Sequence, residues 1–152
     1  MAEEVREVIV DTYALLAMVF DEVGARARDI LEEIHWGRVK GLLPVTVAYE
    51  YVLHWLRGRI PAFKSSIEVL TYLRSYFKVV NLSLEEYVQA ARVKVRGDAL
   101  LERAEDESLR SRRLSIVDST VIALALGRRV PILTGDRDLA YVALKEGVEV
   151  IW

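Results

Sequence analysis

The chain has 152 residues, 53% of them apolar and 29% charged, with a net charge of −2. That length supports one domain with a core of its own, and the composition is globular, neither disordered nor membrane-spanning. The absence of cysteine excludes disulfides, thiolate metal sites and cysteine nucleophiles, and the slightly negative balance excludes nucleic-acid binding through bulk positive charge alone.

The opening MAEEVREVIV carries acids where a secretory signal would carry lysine or arginine, so no targeting segment is expected and the expected location is the cytoplasm. Val8, Ile9 and Val10 form a β-branched run suited to a strand buried on both faces. Asp11 and Thr12 follow, then an apolar helical run. A helix is predicted over 25–39, GLLPVTV reads as a turn or short strand, and a helix from Thr46 to Arg57 is broken by GRIP. The next helix runs from Phe63 to Tyr76 and leads into the strand FKVVNL. Ser83 and Glu86 make a capping box for the helix after it.

From Val93 to Arg113 the chain is heavily charged and interrupted by Gly97, which predicts two exposed helical pieces. LSIVDSTVIALALG reads as a helix closed by Gly127, followed by strand VPIL, helix Leu139 to Lys145 and strand VEVIW. Strands alternating with helices predict a single α/β domain over 1–152, an α/β/α sandwich around a mainly parallel sheet. One asparagine, Asn81, and one glutamine, Gln89, together with the missing cysteine, suggest a thermophile.

In such sheets ligands sit outside the carboxyl ends of the strands. Asp11, Asp118 and Asp136 each fall where an element meets that edge. Taken singly, each is most simply a helix cap: Asp11 after the first strand, Asp118 three residues after Ser115 in SIVD, Asp136 after LTG. Glu50, in the mostly apolar VTVAYEYVLHWL, is either a solvated helix residue or a fourth acid facing the same edge. Taken together, the capping readings are insufficient. Two carboxylates about 4 Å apart repel by roughly 4 kcal/mol at an effective dielectric near 20, and a helix N-terminus returns only about 0.3–1 kcal/mol. A hard divalent cation, Mg²⁺ or Mn²⁺, is the natural counter-charge for converging carboxylates.

VIVDTYALL, TVAYEYVLHWL, LSIVDSTVIALAL and ILTGDRDL, in that order, resemble the four motifs of the PIN-domain ribonucleases, and within them the VapC-type toxins of toxin–antitoxin pairs. The most specific part is the serine–aspartate helix followed by the threonine–glycine–aspartate strand end. The resemblance implies a PIN-like fold and a metal-dependent endoribonuclease. Asp11, Glu50, Asp118 and Asp136 would be the catalytic, metal-holding acids, with Thr134 as a hydroxyl that orients a carboxylate or a metal-bound water. It also implies a homodimer and a VapB-type antitoxin, for which the apolar helices around Leu53 and Leu70 offer surfaces. Tyr13 stands where relatives often carry a smaller residue. Asp138 is an extra acid best read as helix-start charge.

Arg110, Arg112 and Arg113 form the densest basic cluster. They are either a solvated helix end or a patch that tracks the phosphates of an RNA substrate. His35 and His54 read as packed or interfacial residues, and Tyr49, Tyr51 and Trp55 as core or partner contacts. Among rival classes, a receiver domain needs an adjacent acidic pair after strand one and a late lysine, and neither is present. A haloacid-dehalogenase-like phosphatase needs a second aspartate where Tyr13 stands, and a dinucleotide fold needs a glycine-rich first turn. A housekeeping RNA-processing nuclease and a non-catalytic PIN-like binding module remain as alternatives.

Overall fold

The computed structural model describes residues 4–152. The first three residues, part of the stretch expected to hold no targeting signal, lie outside the described residues. Among the described residues five strands, β1 (Glu7–Val10), β2 (Lys40–Pro44), β3 (Lys78–Val80), β4 (Ile132–Leu133) and β5 (Val150–Ile151), form one sheet in the order β3-β2-β1-β4-β5. Every pairing is parallel, with Ile9 opposite both Leu42 and Ile132. Seven α-helices among the described residues flank the sheet: α1 (Thr12–Val19), α2 (Ala25–His35), α3 (Val45–Leu56), α4 (Ser66–Tyr76), α5 (Leu84–Glu102), α6 (Ile116–Arg128) and α7 (Arg137–Lys145). This is the α/β fold expected from the alternation of strands and helices.

The continuously apolar strands are explained by burial on both faces. Val8, Ile9, Val10, Leu42, Leu43, Ile132 and Leu133 are all fully buried, as parallel strands sandwiched between helices must be. The order also decides where a ligand can bind. The chain builds outward from β1 through β2 to β3, then returns to place β4 on the other side of β1. Connections leaving β1 and β4 therefore diverge, opening a crevice at their carboxyl ends. Val10 is followed there by Asp11, and Leu133 by Thr134.

Several boundaries differ from the sequence expectations. The predicted break at Gly97 does not occur: the helix capped by Ser83 and Glu86 runs unbroken to Glu102, and its capping box is formed. Gly97 is buried because α5 passes so close to its neighbours that a methyl group there would lie 2.3 Å from Leu114 Cδ1 and 3.0 Å from Val142 Cγ1. It is a packing glycine rather than a breaker. The predicted 25–39 helix ends at His35, since Gly41 to Pro44 and the preceding lysine are drawn into the sheet as β2. Helix α6 passes through Gly127 and closes at Arg129, whose φ of 56° makes the left-handed turn. Helix α7 starts at Arg137, two residues before the expected Leu139, because Asp136 caps it.

Candidate active site

Asp11 is both a cap and a buried charge. Its Oδ2 accepts from the Tyr13 amide at 3.4 Å at the start of α1, yet the residue is only 2% exposed. Burial of that kind is costly without a compensating hydrogen bond. Thr134, fully buried just beyond β4, supplies one: its hydroxyl donates to Asp11 Oδ2 at 2.8 Å. The same hydroxyl oxygen accepts from the Asp136 amide at 3.1 Å. Amide, hydroxyl and carboxylate thus tie the ends of β1 and β4 together across the crevice.

Asp136 caps α7, its Oδ1 accepting from the amides of Asp138 at 2.9 Å and Leu139 at 3.3 Å. Asp118 completes the capping box of α6: Ser115 Oγ accepts from its amide at 2.9 Å, and its Oδ2 accepts from the Ser115 amide at 3.2 Å. The capping role that each aspartate suggests on its own is therefore real in all three cases. Each cap engages one carboxylate oxygen. Asp11 Oδ1, Asp118 Oδ1 and Asp136 Oδ2 make no hydrogen bond to the described residues.

Neighbouring acids also act on Asp11 and Asp118. Burial first, then the charges of Asp11 and Asp136, push the Asp118 carboxyl up to about 8. Burial, with Asp136 and Glu50 adding to it against the Thr134 hydrogen bond, pushes Asp11 up to about 6. Glu50 is half-buried in α3, a helix held to α6 by the 2.7 Å hydrogen bond between Thr46 Oγ1 and Thr120 Oγ1. None of Asp11, Glu50, Asp118 and Asp136 has an ion-pair partner among the described residues. Thr12, next to Asp11, has a buried hydroxyl with no hydrogen-bond partner.

An all-carboxylate set with uncompensated charge and free oxygens fits a hard cation such as Mg²⁺ or Mn²⁺. As the side chains stand, no three acids or histidines among the described residues are closed around an ion position. The donor chemistry is assembled; the coordination geometry is not.

The arginine cluster is divided by the fold. Arg110 Nε donates to the Ala104 carbonyl at 2.8 Å, and Arg113 pairs with Glu102 at 2.7 Å. Arg112 alone of the three lines the hollow of about 380 Å³ beside Tyr13, Gly135, Asp136, Arg137 and Asp138. Between the solvated helix end and the phosphate patch that the sequence leaves open, the structure separates the three: the chain between α5 and α6 turns Arg110 and Arg113 onto its own carbonyls and onto Glu102. Asp138, read as helix-start charge, does lie in the first turn of α7, and it is also buried and paired with Arg112 at 2.8 Å. Arg137, at the same hollow, escaped the sequence reading; it bonds Asp106, which caps the 3₁₀ turn Glu107–Leu109, and Ser108 within that turn. Its signal was its place between the two aspartates of TGDRD.

The histidines make contacts of their own. His35 stacks on Tyr76 with ring centroids 5.1 Å apart, and His54 Nδ1 lies 2.7 Å from Arg59. Tyr51 is a core residue, Trp55 donates to the Phe63 carbonyl at 2.9 Å, and Tyr49 is exposed. A larger hollow, about 610 Å³, opens at the opposite edge of the sheet around Arg6, Glu7, Arg129 and Glu149 and contains none of the four acids.

A family model described as the PIN domain matches residues 8–145. Among solved structures, PAE2754 from Pyrobaculum aerophilum is 20% identical with a TM-score of 0.61, over 96% of this chain and 89% of that one. VapC20 of Mycobacterium tuberculosis, described as a sarcin–ricin loop cleaving toxin, is 20% identical with a TM-score of 0.56, over 88% of this chain and 92% of that one. At that identity both likenesses are of fold. No curated protein sequence matches the chain. No helix among the described residues is long and apolar enough to cross a membrane.

Proposed function

The chain belongs to the PIN-domain family, and from that membership and the acidic crevice we propose that it is an endoribonuclease dependent on Mg²⁺ or Mn²⁺, acting in the cytoplasm as the toxin of a VapBC-type pair. One observation carries the reading. Three carboxylates from separate elements, Asp11 buried and Asp118 and Asp136 half-buried, lie at the switch point of the sheet; burial and neighbouring acids hold Asp11 and Asp118 above the ordinary carboxylate range, and no described residue pairs with any of the three. A structural cap has no need of that arrangement.

Asp11, Asp118 and Asp136 would hold the ion through the oxygens their caps leave free, with Glu50 completing the acidic set from α3. A bound divalent cation supplies neutralisation of the phosphate's growing charge and a nucleophilic water at neutral pH. The chain's own contribution is placement. Thr134 fixes the plane of the Asp11 carboxylate through Oδ2 and holds the Asp136 loop by accepting its amide. The Ser115 amide holds Asp118, and the first turn of α7 holds Asp136.

The toxin role draws on the fold likeness to VapC20. A VapB-type antitoxin and a homodimer complete the proposal. An antitoxin arginine would replace the cation's charge at the carboxylates, and the exposed Leu70 with the half-buried Leu53 would lie in apolar contact surfaces.

The test is cleavage of single-stranded RNA by the purified protein with Mn²⁺, with Mg²⁺ and with chelator, beside Asp118→Asn. Cleavage is expected only with ion and only in the wild type, and the ion is expected to raise the melting temperature of the wild type more than that of the variant. RNA cutting that persists in chelator or in Asp118→Asn removes the acids from the chemistry.

A further inference from the structure

Arg112 precedes α6, and Asp138 lies in the first turn of α7. Arg112 Nε donates to Asp138 Oδ2 at 2.8 Å, and the two side chains are very unequally exposed, 60% for the arginine and 10% for the aspartate. The aspartate is thus a fixed, buried post and the guanidinium an outward-facing head. Nη1 and Nη2 make no hydrogen bond to the described residues. Guanidinium binds phosphate through paired N–H groups of its planar fork, and here that fork is left open.

Its place is set as firmly as its orientation. Arg112 lines the hollow that contains Asp136 and lies within electrostatic reach of Asp136 and Asp118. The Asp138 amide donates to Asp136 Oδ1 at 2.9 Å, so the anchor and one of the site acids belong to a single turn. The neighbouring arginines are committed elsewhere: Arg110 to a carbonyl, Arg113 to Glu102, Arg137 to Asp106 and Ser108.

We propose that Arg112 grips a backbone phosphate of the RNA at the edge of the acidic crevice, with Asp138 as the positioning residue that aims it; this deepens the nuclease reading and rests on it. An acidic site repels its own substrate, so a cation at the rim that is not neutralised by the site acids offsets that repulsion locally. Holding the arginine by Nε also removes side-chain freedom before the substrate arrives, which lowers the cost of ordering on binding. The grip carries no sequence preference, because phosphate contacts position the strand and do not read bases.

The experiment is equilibrium binding of a single-stranded RNA oligonucleotide as a function of salt, in chelator so that the strand is not cut. Arg112→Ala is expected to weaken binding about tenfold and to reduce the slope of log K against log salt by about 0.7, the loss of one phosphate contact on a single strand. Arg112→Lys is expected to keep the slope but bind several-fold more weakly, since the charge remains and the fork does not. Asp138→Ala should likewise keep the slope and lose affinity. Arg112→Ala combined with Asp138→Asn removes the stranded carboxylate and should still bind like Arg112→Ala.

An unchanged slope in Arg112→Ala overturns the proposal. So does recovery of wild-type affinity in the double variant, which would trace the loss to Asp138 left unpaired. If the wild type cuts RNA in the presence of ion while Arg112→Ala keeps the full slope, this proposal alone falls. If the wild type neither binds nor cuts RNA, the nuclease reading falls with it.

Discussion

Thr134 and Asp11 are 123 residues apart in sequence and 2.8 Å apart as hydroxyl donor and carboxylate acceptor, both buried at the carboxyl edge of the sheet. Because the same hydroxyl accepts from Asp136, one small side chain fixes two of the four acids. Thr134→Val keeps the shape and removes both hydrogen bonds, leaving the Asp136 amide unsatisfied at about 1–3 kcal/mol and Asp11 Oδ2 with only its longer bond from the Tyr13 amide. Expected are a lower melting temperature and RNA cleavage reduced by about 10²-fold, the scale of a misplaced catalytic group. Thr134→Ser should retain most of both. Equal activity in the Val and Ser variants would leave the hydroxyl without a role.

Asp118→Asn should separate function from stability. The amide can still accept from Ser115, so the cap survives, while the repulsion with Asp11 and Asp136 disappears. Without ion the variant is expected to be more stable than the wild type by about 2 kcal/mol, or roughly 4–8 °C in melting temperature for a chain of this size. With Mg²⁺ the order should reverse as the wild type gains binding energy. Scanning calorimetry in chelator and in Mg²⁺ measures both.

The pH dependence follows from the same two groups. Asp118, pushed up to about 8, and Asp11, pushed up to about 6, hold protons more tightly in the fold than in the unfolded chain. Their contribution favours the fold most below the ordinary carboxylate range and is lost as pH rises through about 6 and then about 8. In chelator, the stability advantage of Asp118→Asn over the wild type should therefore grow between about pH 5 and about pH 9. An advantage that shrinks over that range contradicts the raised values. Mg²⁺ should flatten the wild-type decline.

Gly135 sits under two rings. A methyl group there would lie 2.5 Å from Trp152 Cε2 and 2.6 Å from Tyr13 Cε1, and those rings meet edge to face at 5.4 Å. Gly135→Ala must spread them or move the loop that leads to Asp136. Overpacking of this kind costs about 1–3 kcal/mol. Cleavage is expected to fall by at least about tenfold, since a shift of this loop moves Asp136; a fall in melting temperature with full cleavage would detach the ring pair from the site.

Gly97→Ala is a test of the fold alone. Alanine gains about 1 kcal/mol in helix propensity, but its methyl would meet the buried Leu114 at 2.3 Å, at a cost of about 1–3 kcal/mol. The clash should win and lower the melting temperature. A more stable variant would mean that Leu114 has room to move.

What the sequence could decide was whatever depends on local pattern. Val8 to Val10 had to be a buried strand because β-branched apolar residues without alternation fit no half-exposed surface. Ser83 with Glu86 and Ser115 with Asp118 announced their helix starts through spacing alone. Gly97 was misread because a glycine in a helix looks identical whether it breaks the helix or lets a neighbour approach. Only the passage of Leu114 and Val142 against α5 distinguishes the two cases.

The tertiary structure decided what depends on which distant groups meet. Strand order brings β4 beside β1 and so sets Thr134 on Asp11, a contact that no local spacing encodes. It also sends Arg113 to Glu102 and Arg112 to Asp138, although the two arginines are adjacent and chemically identical. Capping is a property of a few consecutive residues and can be read from them. Proton affinity and ion pairing are properties of a place, set by burial and by charges from elsewhere in the chain, and that place exists only once the sheet has formed.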